Sequence, residues 1–305
     1  MNPNFVIIGL PASGKTTFLA ALWHLIEADE TDCRLKLDRY EGDLKYLNSI
    51  AEAWRTFKKV PRTSQVVGDV DVTIHFIDTQ TDVRGRAFFP DLAGETFDVQ
   101  IESRRCRPIF QKNINADDGI LLFISANSKQ DGLSIIELNS MMPSDEQSET
   151  LPEKVEPELD KSTSIVNDGE RRQNAAALAE WEPKKVPAQV RIVQILSDLL
   201  RPPFMPRKRQ LVVILSAWDV VKSTQLTPPA WLAANMPLVD QFVRTNEDSF
   251  SVKIYGVSAQ GVSLDDSKAV GQAAKLTPSH RISIVGLSQS GHDITEPLAW
   301  LISAK

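Results

Sequence analysis

Apolar residues in this chain fall into short runs and helical stripes that alternate along its length. Phe5 to Ile8 is an apolar run of the kind shown by strands buried on both faces. After a glycine-rich turn, TTFLAALWHLIEA sets Phe18, Leu22, Leu25 and Ile26 on one side of a helix. CRLKL reads as a strand, and DLKYLNSIAEAWRTF as a helix with Leu44, Leu47, Ile50, Trp54 and Phe57 at helical spacing. Beyond the loop PRTSQ, the alternating runs VDVTIHF and RGRAFFPD are separated by DTQTDV, which predicts a hairpin or adjacent strands. GILLFISA (119–126) is a further buried strand.

The pattern then stops. From Asn127 to Glu180 there is no aromatic residue, and acids, Ser and Pro dominate. Such a stretch buries too little apolar area to offset its ordering entropy, so 127–185 is expected to be a flexible acidic insertion. Periodicity returns with PAQVRIVQILSDLL (helix), QLVVILSAWD (strand and turn), PAWLAANMPLVDQFV (helix) and FSVKIYGVSAQG (strand and turn). DITEPLAWLIS is a final helix with Asp293 as N-cap. Strands alternating with helices predict an α/β fold with a doubly wound, mostly parallel sheet.

Composition narrows the classes. The 305 residues carry a net charge of −6, with 42% hydrophobic and 24% charged residues, ordinary globular values. A mildly acidic chain is a poor general binder of nucleic acid. Cys33 and Cys106 suit neither a metal site nor a disulfide framework, which points to a reducing compartment. His24, His75, His280 and His292 share no metal-binding spacing. No signal peptide or run of ~20 apolar residues is present, so no membrane span and a cytoplasmic location are expected. RRCR (104–107) and RPPFMPRKR (201–209) are local basic clusters that read as solvated faces.

The chemistry concentrates first in GLPASGKT, Gly9 to Thr16, placed between a strand and a helix as a phosphate loop requires. Gly9 and Gly14 let the backbone turn, so that N–H groups around Pro11, Ala12 and Ser13 face phosphate oxygens. The helix start at Lys15, Thr16 and Thr17 adds its dipole and unpaired N–H groups. Lys15 places a positive charge among the terminal phosphates, and the Thr16 hydroxyl is the expected Mg2+ ligand. A carboxylate at a neighbouring strand end should complete that metal site. Asp91, in PDLAGETF, is the candidate, and three residues later the Gly94 backbone N–H can meet the γ-phosphate.

At this point the chain resembles Ras-like P-loop GTPases of the translation-factor-related class. DLAGE is similar to the second switch of that class, D-x-A-G-Q, except that Glu95 stands where relatives have the glutamine that orients the attacking water. The base-reading N/T-K-x-D resembles Ser216-Ala217-Trp218-Asp219. There Asp219 implies guanine recognition, Ala217 replaces the lysine that lies across the base, and Trp218 is either its substitute or a packing residue. S-A-K resembles Ser258-Ala259-Gln260, whose Ala259 N–H would meet guanine O6. The first-switch threonine is assigned to Thr63, with Ser64 and Thr73 as competitors; Arg62 beside it is a candidate arginine finger set against a solvated loop arginine.

The resemblance implies one G-domain over 1–305, binding GTP or GDP with Mg2+ and hydrolysing GTP, with an inserted strand and helix at 33–60 before the first switch. That insertion, with FVIIGLPASGKTTFLAALW and DITEPLAWLIS, resembles bacterial double-GTPase domains associated with biological conflict systems. An effector or activating protein recognising the switches is the implied partner. Two rivals remain: an ATP-using P-loop kinase or ATPase, and a nucleotide-dependent scaffold with little hydrolysis.

Overall fold

The computed structural model describes residues 4–60, 71–89, 95–116, 119–127, 186–286 and 290–303, all within one compact unit made of Met1–Asp131 and Val186–Lys305. Arg62, Thr63, Ser64, Asp91, Gly94 and the acidic segment from residue 128 onward lie outside the described residues.

The strands are β1 (Asn4–Gly9), β2 (Leu35–Glu41), β3 (Val72–Asp78), β4 (Arg84–Phe89), β5 (Gly119–Ser125), β6 (Arg209–Ser216), β7 (Phe250–Ser258), β8 (Ser283–Val285) and β9 (Ser290–Gly291). They form one sheet in the order β2-β3-β4-β1-β5-β6-β7-β8-β9. The centre, β4-β1-β5-β6-β7, is parallel, and the pairs at both edges are antiparallel. The inserted CRLKL run becomes β2, an added edge beyond the β3–β4 hairpin.

The inner stretches of β1, β5 and β6 are apolar because both faces are covered. Phe5 and Ile7 of β1 enter one core, Val6 and Ile8 the other; Val212 and Ile214 of β6 divide from Leu211, Val213 and Leu215 in the same way. The first core is closed by helices α1 (Lys15–Ala28), α2 (Leu44–Arg55) and, from the far end of the chain, α9 (Glu296–Ser303). The second is closed by α3 (Glu95–Ser103), α4 (Pro108–Ala116), α5 (Ala188–Asp198), α6 (Pro228–Asn235) and α7 (Pro237–Thr245). Helix α8 (Ser267–Ala273) follows β7.

Three features depart from the sequence reading. The expected helix PAWLAANMPLVDQFV is two helices. Pro237 lacks the N–H an unbroken helix needs, so the chain breaks at Met236 and restarts with Pro237 in the first turn. The short elements β8, β9 and α8 had no periodicity long enough to announce them. The regular turns of α9 begin three residues beyond Asp293, whose Oδ1 accepts from the N–H (2.8 Å) and hydroxyl (2.6 Å) of Thr295 and whose Oδ2 accepts from the Arg34 N–H (3.0 Å). Among the described residues no helix is long and apolar enough to cross a membrane.

Candidate nucleotide site

Strand order reverses at β1, whose neighbours are β4 on one side and β5 on the other. The crevice at the carboxyl ends of parallel strands beside such a switch point is where ligands bind in this architecture. A cavity of about 440 Å3 lies there, in the size range of small-molecule sites.

One end of the cavity is the loop from Gly9 to Gly14. Ala12 takes a left-handed conformation (φ 60°), and the Ser13 N–H bonds back to the Leu10 carbonyl at 3.2 Å. Gly14 has φ 90°, and a Cβ there would sit 2.8 Å from Ser216 Oγ, so glycine is required on both counts. Helix α1 opens at once, with no side-chain cap and no acidic residue in its first turn, so its leading N–H groups and its dipole face the cavity. The Lys15 side chain is 97% withdrawn from solvent, at 3% exposure. Its ammonium donates to the Gly9 carbonyl (2.7 Å), the Leu10 carbonyl (2.8 Å) and Ser13 Oγ (3.3 Å), which holds the charge in the middle of the turn.

The other end is built from residues far apart in the chain. The 3-10 helix Trp218–Thr224 follows β6, and its Asp219 faces the cavity. Ser258, buried at the end of β7, donates from Oγ to Asp219 Oδ1 and accepts from the Gly261 N–H at 3.1 Å. One hydroxyl thus fixes both the aspartate and the turn after β7. Ser216 joins the two ends: its Oγ donates to the Ser13 carbonyl at 2.8 Å.

The structure gathers most of the sequence candidates. Pro11, Ala12, Ser13, Gly14, Lys15, Thr16, Thr17, Ser216, Asp219, Ala259 and Gln260 all line the cavity, with Gly9 and Ser258 directly behind them. Trp218 does not line it. Its ring is buried over Gly256, where a Cβ would lie 2.3 Å from the indole, and it meets Trp231 edge-on at 6.3 Å. Adjacent side chains of a 3-10 helix diverge by about a third of a turn, and with Asp219 on the cavity wall the indole lies in the second core, where its apolar area is covered. The packing role, not the stacking role, is therefore the one Trp218 fills. Thr73 is also placed away from the site: it is buried in mid-sheet, paired with Glu41 on β2 and Phe88 on β4. Glu95 begins α3, and its side chain lies outside the described residues, as do Arg62, Thr63, Asp91 and Gly94.

Several lining residues carried no motif. Lys59 and Val60, just after α2, reach the cavity, as do Val220 and Leu264 near Asp219. Val220 and Leu264 are 49% and 37% exposed and supply apolar surface to the cavity that Ala217 also lines. Only the adjacency of Val220 to Asp219 could have been read in advance.

For a divalent cation, the described residues offer the Thr16 hydroxyl on the cavity wall but no group of three His, Cys, Asp or Glu able to hold a metal alone. That donor set fits an ion such as Mg2+ that arrives with phosphate oxygens and borrows one hydroxyl.

Comparison with solved structures finds similarity to the Ski7 GTPase-like domain of S. cerevisiae bound to GTP, at 10% identity and TM-score 0.43, over 99% of this chain. This chain spans 50% of the Ski7 chain. It is also similar to a putative nucleolar GTP-binding protein 1 from Plasmodium falciparum (11% identity, TM-score 0.36, 90% of this chain and 86% of that one). A third similarity is to the signal recognition particle receptor SRb-GTP/SRX complex of Chaetomium thermophilum (13%, TM-score 0.34, 85% and 91%). A search of curated proteins found no match. The family pattern described as Double-GTPase 1 matches residues 6–301, nearly the whole chain. With a phosphate loop and an aspartate-bearing turn at opposite ends of one cavity, the chain belongs to the Double-GTPase 1 family.

Proposed function

We propose that this protein binds GTP and GDP, hydrolyses GTP, and changes its protein contacts with the state of the nucleotide. The observation that carries the reading is the joint geometry of the cavity. A buried ammonium and a helix start lie at one end, and a carboxylate steadied by Ser258 lies at the other. A purine nucleoside polyphosphate carries the matching pair of chemistries, anionic phosphates at one end and a base with N–H donors at the other.

The loop N–H groups and the Lys15 ammonium would hold the β- and γ-phosphates and stabilise the charge that develops on them. Asp219 would accept from guanine N1–H and the exocyclic amine, a donor pair adenine lacks; the Ala259 N–H would meet O6. Val220 and Leu264 would cover the ring faces that a lysine covers elsewhere. Mg2+, held through Thr16 and in the proposal also Asp91 and Thr63, would supply charge neutralisation between the phosphates. Hydrolysis would be in-line attack of water on the γ-phosphorus, breaking its bond to the bridging oxygen and releasing phosphate. Glu95, at the start of α3, would orient that water; as an anion beside phosphate it does so weakly, so hydrolysis alone is slow and an activating partner accelerates it. A place in a bacterial conflict system is part of the same proposal, and rests on resemblance alone.

Competition against a fluorescent guanine nucleotide tests the reading. GTP and GDP should displace it and ATP should not. Displacement by ATP as readily as by GTP would favour the kinase or ATPase alternative.

A further inference from the structure

Helix α2 belongs to the segment inserted before the first switch, and no nucleotide motif includes it. Its last turn nevertheless grips the loop that follows β7. Trp54 is fully buried, and its indole N–H donates to the Ala259 carbonyl at 2.9 Å. In return the Gln260 side-chain amide donates to the Trp54 carbonyl at 3.3 Å. These contacts cross 205 and 206 residues of chain, and both land on the two positions whose backbone and side chain line the base end of the cavity.

A second layer holds the grip in place. The Arg281 guanidinium lies 4.6 Å from the Trp54 ring and 4.3 Å from the Phe57 ring, and donates to the Arg55 carbonyl at 3.3 Å. The Arg281 carbonyl in turn abuts Gly261, where a Cβ would lie only 2.4 Å away and where φ is 83°. Arg281 is itself buried, and that burial lowers the affinity of its guanidinium for a proton, partly opposed by Glu30. Glu30 also anchors this segment by accepting from the Ser279 N–H (3.0 Å) and hydroxyl (2.8 Å). The end of α2 thus sits between the base loop and the 278–281 turn, bonded to each.

We propose that Trp54 is a positioning residue for guanine recognition: the inserted helix sets the height of the Ala259 N–H, and so the contact with the base. The inference rests on the proposed guanine site. An indole N–H bonded to the Ala259 carbonyl restrains the peptide plane that joins Ala259 to Gln260, and the Ala259 N–H, in the neighbouring plane, is tied to it through the φ and ψ of that one residue. Losing the indole donor leaves a sheltered carbonyl unpaired, and the loop relaxes to satisfy it. Affinity that depends on base O6 then falls, while affinity for phosphate alone stays.

The test is Trp54→Phe, with GDP, IDP and pyrophosphate titrated by calorimetry into the folded variant and the unaltered protein. IDP keeps O6 and lacks only the exocyclic amine. GDP and IDP should each weaken about tenfold, with pyrophosphate unchanged. Equal losses for all three ligands, or no loss for any, would overturn the inference. If Trp54→Phe does not fold, Gln260→Leu removes the reciprocal bond without touching either core; about a threefold loss for GDP and IDP, again with pyrophosphate unchanged, is expected. Loss of pyrophosphate binding in equal measure, or no loss at all, counts against the proposal there too. Independently, the Trp54 indole N–H resonance of 15N-labelled protein should shift with GDP and not with pyrophosphate; a shift absent with GDP overturns it. Should the unaltered protein bind GDP no better than ADP, the guanine reading itself falls, a result distinct from every outcome in the variants.

Discussion

The two ends of the cavity are made in different ways. At the phosphate end the holding contacts are local, save the Ser216 bond to the Ser13 carbonyl: the Lys15 ammonium reaches carbonyls five and six residues back, and the turn closes on itself. At the base end the contacts are remote, with Ser258 reaching Asp219 across 39 residues and Trp54 reaching Ala259 across 205. A local cradle works as a motif wherever a strand and helix flank it. A remote one works only when the whole sheet is in register, since β6 and β7 must pair for Asp219 and Ser258 to meet. On the proposed reading, the phosphate end is therefore generic in its chemistry and the base end selective.

Substitutions can separate the two ends, and the largest effect is expected at the generic one. Lys15→Ala removes the only buried ammonium among the described residues at the loop, and with it charge-assisted bonds to phosphate. Affinity for GDP, ADP and pyrophosphate should fall together, by about 100-fold or more, in calorimetry. A loss confined to GDP would mean that the lysine does not serve the phosphates.

Asp219→Asn comes next. Asparagine Oδ1 can still accept from Ser258, so the change falls on the base: GDP should weaken about 30-fold and xanthosine diphosphate should improve, because xanthine offers a carbonyl where guanine offers an amine. Pyrophosphate binding should not move. Unaltered GDP affinity would remove Asp219 from base reading.

Ser258→Ala has a smaller expected effect. It frees the carboxylate and the Gly261 N–H together, and about a fivefold loss of GDP affinity with unchanged pyrophosphate binding is expected. A loss shared by pyrophosphate would show that the two ends are not independent.

Acid should produce the mildest change. Burial raises the Glu30 and Asp78 affinities for protons, but the bonds from Ser279 and His24 to Glu30, and from Arg34 and the Gln80 N–H to Asp78, outweigh it, so both carboxyls titrate below their ordinary range. A lowered folded-state pKa means that the unfolded chain binds protons first as pH falls. Their stabilisation is therefore complete above about pH 4.5 and is lost below it, as pH drops through the folded values. The thermal midpoint should decline below that pH, and Glu30→Gln together with Asp78→Asn should flatten the decline. Equal slopes for variant and unaltered protein would dismiss these two groups.

The same contrast governs what could be read from the sequence. GLPASGKT was legible because eight consecutive residues carry its geometry, and the inner runs of β1, β5 and β6 because burial on both faces leaves them no polar position. Asp219 became a candidate through the order of motifs along the chain, and the structure puts it on the cavity wall. Trp218 was ambiguous: a tryptophan beside a base-reading aspartate has the same letter code whether its ring meets a base or a glycine across the core. What placed it was Gly256, 38 positions away, which makes room for the indole. The Trp54 bond to Ala259 left no local trace, because an indole at helical spacing reads as ordinary core. The break at Pro237 was visible in principle, and apolar periodicity outweighed a residue that cannot continue a helix.

The clasp between Trp54 and Ala259 also bears on biosynthesis. A ribosome delivers the phosphate loop well before the partner that, on the proposed reading, completes base selection, which emerges only after β7, and its brace at Arg281 later still. Until that stretch has left the exit tunnel, a nascent chain could cradle polyphosphate without discriminating among purines. On the proposed reading, selective loading is thereby deferred until the chain beyond β7 has been made.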